Sequence, residues 1–312
     1  MADKKPVLMI MGPTATGKTA FAIEAAQRFG GEIISVDSAL VYKDMDIGTA
    51  KPNADELAAA PHHLIDLCDP LDSYSAAQFR LDSLALIEDI QQRGKLPILA
   101  GGTMLYFRAL LDGIAQMPQS DAAVRADLEQ QLQDQGAQAL HGELAGFDPQ
   151  AAQRIHVNDP QRLLRAIEVY RISGKPLSVF HAEQKASQLA YPHLKIGLIP
   201  DSRERHRKLV AQRFDQMLEQ GFVNEVRQLH KRGDLHLDLP SMRCVGYRQV
   251  WQYIEGELSQ AQMRERAVIA TRQLAKRQMT WLRKEENLQQ WNCFKTDWSE
   301  LLENVSHFVK SG

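Results

Sequence analysis

Val7-Leu-Met-Ile-Met11 followed by Gly12-Pro13-Thr14-Ala15-Thr16-Gly17-Lys18-Thr19 is the stretch whose reading decides the fold of this chain. A glycine, four residues and then Gly-Lys-Thr is P-loop spacing. An apolar run long enough for a buried strand leads in, and a helical pattern from Lys18 to about Arg28 leads out. Glycines at both ends let the backbone wrap so that successive N–H groups face one anion. The helix behind adds the positive end of its dipole. Lys18 supplies a mobile charge, and the Thr19 hydroxyl is a candidate Mg²⁺ ligand. The loop recognises a di- or triphosphate and ignores what hangs from it, so kinases, NTPases and diphosphate-dependent transferases all remain open.

Downstream, Gly30-Gly31 ends the first helix and Glu32 to Val36 predicts a second strand, with Asp37-Ser38 at its carboxyl end. A carboxylate there either caps a turn or faces a ligand, because that edge of a parallel sheet is where ligands bind. Residues 39–52 have no sustained periodicity and predict an ordered loop. Pro61 to Asp66 predicts a short strand, on which His62 and His63 point opposite ways and so make a poor shared metal site. Ser75-Ala-Ala-Gln78 opens a helix running to about Gln92. Lys95 to Ala100 predicts another buried strand, with Gly101-Gly102-Thr103 at its end and a helix from Met104 to Leu111 behind it. This alternation predicts an α/β fold: a P-loop NTPase-like parallel sheet flanked by helices.

From about Met117 the pattern is helical. Asp121 to Gln135 is one helix, and Asp148-Pro149 and Asp159-Pro160 each place an N-cap before a proline at the first helical position. The next strand is His193 to Ile199. The expected organisation is therefore a core of 1–116 and 193–312 with an all-helical insert at 117–192. The last third is helical, with one long helix inside Leu258 to Arg283.

In a chain of 312 residues, 44% hydrophobic and 24% charged, no apolar run approaches the ~20 residues that span a bilayer. Met1 to Pro6 shows no signal-peptide pattern, and Cys68, Cys244 and Cys293 fit no disulfide or zinc spacing. The expectation is a cytoplasmic, membrane-free protein acting as a monomer. Net charge is −2, yet residues 201–284 carry 17 Lys/Arg against 10 Asp/Glu. Between Arg266 and Lys284 there are six basic residues and no acidic one, which points to a polyanionic partner. Lys276, Thr280 and Lys284 share a helix face, and Arg277 and Trp281 lie on another. Arg243-Cys244-Val245-Gly246-Tyr247-Arg248 and Gln161-Arg162-Leu163-Leu164-Arg165 add further basic patches. Three such patches fit a phosphodiester backbone better than a solvated face. Asp37 can act as general base or hold a metal through water, and Thr103 can cap a helix or serve the site.

The segments GPTATGKT, ISVDSALVYKDMDIGTAKP, GGTMLYFRALLDG, NDPQRLLRAIEVY, RCVGYRQ and TRQLAKRQMTWLR occur in this order. Together they resemble the bacterial tRNA dimethylallyltransferases (tRNA isopentenyltransferases), over about Val7 to Arg283. The resemblance implies transfer of a dimethylallyl group from dimethylallyl diphosphate to N6 of the adenosine immediately 3′ of the tRNA anticodon, with release of diphosphate. It implies an insert closing on the anticodon arm, a diphosphate held by Gly12 to Thr19 with Arg213, and Asp37 facing the adenine amine. Thr103 and Arg125 match single substrate-site positions. Asp37-Ser38-Ala39-Leu40, Gln161 to Arg165, Arg243 to Arg248 and Lys276-Arg277-Gln278-Met279-Thr280-Trp281-Leu282-Arg283 match stretches that contact tRNA. Two rivals are a small-molecule kinase, which leaves the basic face without a purpose, and an RNA-binding nucleotide switch, which would need a motif such as Asn-Lys-x-Asp. None occurs.

Overall fold

The computed structural model describes residues 5–115, 117–183, 189–295 and 297–311. It divides into two compact units, Met1–Leu110 with Ala190–Gly312, and Leu111–Leu189. In the larger unit β1 (Val7–Met11) is wholly buried and runs into α1 (Lys18–Phe29), β2 (Gly31–Val36), α2 (Ala54–Ala59) and β3 (His62–His63). Then come α3 (Ala76–Gln92), β4 (Leu96–Gly101) and α4 (Met104–Asp112), which carries the chain out of this unit. The expected capping signal at Ser75 is present, its side chain accepting the Gln78 N–H.

The smaller unit is built of α5 (Ala122–Phe147), α6 (Pro149–Arg154), α7 (Pro160–Ser173) and α8 (Leu177–Glu183). The helix expected to stop at Gln135 only kinks there: Gly136, at φ 79°, breaks the helical path and the chain resumes to Phe147. Glycine tolerates that φ without a Cβ penalty. Buried Asp148 caps α6 through the Ala151 N–H and also accepts the Ser178 N–H (both 2.9 Å). Leu128, Leu140, Leu144, Leu163, Leu164 and Ile167 form the core. The Leu189 N–H donates to the Leu111 carbonyl (2.9 Å), so this compact unit begins and ends a few residues before the limits of 117 and 192 expected from sequence. Gln116, where the core was expected to end, lies outside the described residues.

Back in the larger unit follow β5 (His193–Ile199), α9 (Arg203–Glu219), α10 (Phe222–Lys231), α11 (Tyr247–Ile254), α12 (Gln260–Leu282), β6 (Leu288–Asn292) and α13 (Trp298–Ser311). Among the described residues six strands make one sheet in the order β3-β2-β4-β1-β5-β6, every pair parallel. Apolar side chains of β1, β4 and β5 pack with α1 and with Leu301, Leu302 and Val305 of α13. A second cluster joins the loop after β2 to α9–α12 through Tyr42, Met45, Phe222, Tyr247 and Met263. No described helix is long and apolar enough to cross a membrane. The topology has one consequence for the site. β4 lies between β2 and β1, so the chain following these three neighbouring strands emerges on one carboxyl edge.

Candidate active site

At the end of β1 the loop takes the turn its glycines predict. Gly17 sits at φ 82° directly before α1, which has no side-chain cap, so the first N–H groups of α1 remain available to an anion. A Cβ on Gly12 would lie 2.8 Å from the Leu198 carbonyl oxygen, so the glycine there serves close approach. Thr16 Oγ1 and Lys18 Nζ both donate to the Pro13 carbonyl (2.9 and 2.7 Å), which gives the lysine a resting place inside the loop. Burial, and next the nearby Arg213 cation, lower the Lys18 pKa to about 8.

Asp37 follows β2 and Thr103 follows β4, the strand between β2 and β1. The Ala39 N–H donates to Asp37 Oδ1 (2.9 Å), and the Ser38 N–H donates to Thr103 Oγ1 (3.1 Å). The Thr103 N–H in turn donates to the Val36 carbonyl (3.1 Å), so the ends of β2 and β4 are tied together. Burial raises the Asp37 pKa against the opposing pull of the Ala39 and Leu40 amides and of the Lys18 and Arg213 charges. Arg213 on α9 makes no ion pair or hydrogen bond among the described residues, and burial lowers its pKa. Two cations and one carboxylate, none neutralised by a contact ion pair, therefore face a common space.

That space is a cavity of about 550 Å³. Lys18, Thr19, Asp37, Thr103 and Arg213 line one part, and Val210, Phe214, Met217 and Leu274 supply apolar wall. Arg277, Gln278 and Trp281 reach it from α12, and 243–246 from the turn before α11. A further part of the wall, Gly48 to Ala50, is positioned by Glu225, a residue no sequence signal marked. One Glu225 oxygen accepts the Asp46 and Ile47 N–H groups (3.1 and 2.6 Å), and the other accepts the Gly48 N–H (3.2 Å) and the Tyr247 hydroxyl (2.5 Å). A Cβ on Gly48 would fall 2.1 Å from the Phe222 ring, so the loop seats only as glycine. Such an arrangement can hold a diphosphate at one end, a short hydrocarbon along one side and a proton acceptor between.

The IPP transferase family model matches residues 40–285. The chain belongs to the IPP transferase family. Among solved structures in the family's range, it is similar to the tRNA isopentenylpyrophosphate transferase of Bacillus halodurans at 34% identity, covering 99% of this chain and 98% of that one, with a TM-score of 0.73. The tRNA delta(2)-isopentenylpyrophosphate transferase of Staphylococcus epidermidis matches at 37% identity, 99% of both chains and a TM-score of 0.71. A eukaryotic dimethylallyltransferase acting on tRNA matches at 29% identity over 97% of this chain and 77% of that one, with a TM-score of 0.81.

The stretches whose family resemblance implied RNA contact divide sharply by exposure. Lys276, Arg277 and Arg283 are exposed and carry no ion pair among the described residues. Arg243 reaches Asp238 at 3.5 Å, Arg248 donates to the Leu237 carbonyl (3.3 Å), and Gln161 and Arg162 are exposed. Trp281 lies under the Arg108 guanidinium, 5.3 Å from its ring centre. Other members are buried in the protein or engaged within it. Tyr247 and Leu282 are core residues of the larger unit, and Leu163 and Leu164 of the smaller. Gly246 is buried against Phe222. Arg165 is held by Glu168 Oε2 (2.8 Å) and the Pro118 carbonyl (2.6 Å), and Arg125 pairs with Glu129 (2.9 Å). The reason is helical periodicity: a contiguous run on a helix turns about half its members inward, where they hold up the exposed ones. Cys244 and Val245, half-buried, line the cavity; Met279 is half-buried, and the Thr280 hydroxyl donates to the Lys276 carbonyl (2.9 Å).

Proposed function

We propose that the protein transfers the dimethylallyl group of dimethylallyl diphosphate to N6 of the adenosine immediately 3′ of a tRNA anticodon and releases diphosphate. The observation that carries this reading is the convergence of Asp37, Lys18 and Arg213 on one partly apolar cavity, in a chain of the IPP transferase family. The exocyclic amine of adenine is a weak nucleophile because its lone pair is shared with the ring. As its nitrogen bonds to the allylic carbon, the C–O bond to diphosphate breaks and the amine proton passes to Asp37. Burial raises the basicity of that carboxylate, and a positioned base contributes ~10²–10⁴ in rate. The departing diphosphate keeps the bonding electron pair, and the loop amides, Lys18 and Arg213 stand where that charge grows.

Among the described residues no group of three or more His, Cys, Asp or Glu side chains could hold a metal ion. A Mg²⁺ ion would be held here by Thr19, whose exposed side chain lines the cavity, with diphosphate oxygens and water completing its shell and Asp37 in reach through water. It would supply charge neutralisation on the leaving group. The acceptor nucleotide must leave its stack to reach Asp37, which costs little in a single-stranded loop. In this reading the exposed row on α12 and the basic turn before α11 hold the anticodon stem-loop, the smaller unit closes on it, and the protein acts as a monomer. Incubation with dimethylallyl diphosphate, Mg²⁺ and unmodified tRNA, followed by nucleoside mass analysis, tests it. A mass gain of one prenyl group on adenosine is expected, and ATP in place of the prenyl donor is expected to leave RNA unchanged. Phosphoryl transfer from ATP without prenylation would instead identify a kinase.

A further inference from the structure

The side-chain amide of Gln278 on α12 touches both halves of this site at once. The Thr14 N–H of the phosphate loop donates to Gln278 Oε1 (3.1 Å), and Gln278 Nε2 donates to the Gly102 carbonyl after β4 (2.9 Å). Together these contacts determine which way the amide faces. Turned over, it would set N–H against N–H and carbonyl against carbonyl. A carboxylate lacks the donor, and an apolar side chain lacks both groups. Gly102 fits the same picture. A Cβ there would lie 2.3 Å from Gln278 Nε2 and 3.2 Å from the Gly12 carbonyl, so the space a side chain would need is filled by this amide. The carbonyl of the same residue, in the following peptide group, is held by His206, whose Nε2 lies 2.8 Å from it. The two peptide groups flanking Thr14 are thus gripped by α12, which bears the exposed basic row, and by α9, which bears Arg213.

We propose that Gln278 is a positioning residue that sets the phosphate loop against the acceptor edge of the sheet, and that it is not a contact to RNA although Lys276 and Arg277 flank it. The transfer reaction it serves is the one proposed above, and its chemistry rests on that reading. Donor carbon and acceptor amine come from different strand ends, and the Gln278 amide is the side-chain bridge joining the loop after β1 to the chain after β4. Releasing it lets the two drift, and a misplacement of ~1 Å costs on the order of 10² in rate. Because the Thr14 N–H is engaged by the bridge, the other loop amides and the first N–H groups of α1 are left for the diphosphate.

The test measures two affinities and one rate: inorganic diphosphate by calorimetry, unmodified tRNA by filter retention, and single-turnover prenyl transfer. Gln278→Ala is expected to weaken diphosphate about tenfold, the worth of one hydrogen bond to the loop, and to slow transfer ~10²-fold, with tRNA affinity within about twofold of the parent. Gln278→Glu still accepts the Thr14 N–H but cannot donate to Gly102 and sets a negative charge beside the anion site, so diphosphate binding should weaken at least as much as in Gln278→Ala and transfer should remain slow. Gly102→Ala displaces the amide from the opposite side and should reproduce the Gln278→Ala pattern, which keeps the test available if Gln278→Ala does not fold. Lys276→Ala should show the reverse split. Loss of tRNA affinity in Gln278→Ala or Gly102→Ala, or parent-like diphosphate binding in both, overturns the assignment. Variants that show these diphosphate effects beside a parent protein that never prenylates tRNA overturn the transferase reading and leave the loop assignment standing.

Discussion

Glu225→Gln removes a charge and converts one of two acceptor oxygens into a donor, at a point where four donors converge. In the parent, Asp46, Ile47 and Gly48 present backbone N–H groups to the carboxylate at 3.1, 2.6 and 3.2 Å, and the Tyr247 hydroxyl meets it at 2.5 Å. With the new amide oxygen facing Asp46 and Ile47, its NH₂ faces Gly48 and Tyr247. The Tyr247 hydroxyl can turn to accept, but the Gly48 N–H has nothing to donate to. A stranded donor costs ~1–3 kcal/mol, and the contacts that survive fall from charge-assisted (~1.5–3) to neutral strength (~0.5–1.5), so the total is at least about 3 kcal/mol. In a unit of this size each kcal/mol moves Tm by ~2–4 °C, giving a drop of roughly 6–12 °C or more in a thermal scan followed by circular dichroism. Because Gly48, Thr49 and Ala50 wall the cavity, prenyl transfer should fall along with Tm, and inorganic diphosphate should restore only part of the lost Tm. A variant melting within about 2 °C of the parent and transferring at the parent rate would refute the view that Glu225 holds this wall in place.

Three further outcomes are expected. Asp37→Asn keeps the shape but not the base, so single-turnover transfer should fall by at least ~10² with tRNA affinity intact; a near-parent rate removes Asp37 from the chemistry. Lys18 is lowered to about 8 by burial and the Arg213 cation, so its charged form prevails below that pH and kcat/KM for dimethylallyl diphosphate should decline above it. Lys18→Arg, which stays charged, should lose this alkaline limb, and its persistence would assign the limb to another group. Lys276→Ala and Arg277→Ala should each lower the salt dependence of tRNA binding by about one unit of slope, and an unchanged slope in both would make that row a solvated face.

Where the ligand-binding edge lies was legible because its signals are local. An apolar run, Gly-x₄-Gly-Lys-Thr and a helical pattern sit within one continuous stretch, and each is produced by backbone sterics or capping that neighbouring residues determine. The same holds for the strand ends at Asp37 and Thr103 and for the two Asp-Pro caps of the helical unit. β6 was missed for a matching reason. Leu288-Gln-Gln-Trp-Asn292 pairs on one side only, at the sheet edge, and so carries neither the apolar run nor the alternation that marks a strand.

The order of the motifs and their resemblance to a family were also available from the sequence alone, whereas the side chains free to meet a partner were not. Tyr247 and Leu163 stand in basic stretches and yet are core, while Lys276 and Arg277 are open, because exposure depends on what packs against each helix face. The braces of the site are equally invisible in one dimension. Gln278 meets Thr14 across 264 positions, and Glu225 meets Gly48 across 177. Hydrogen bonds of this kind form only where folding brings a donor and an acceptor within about 3 Å, and no periodicity in the chain announces them.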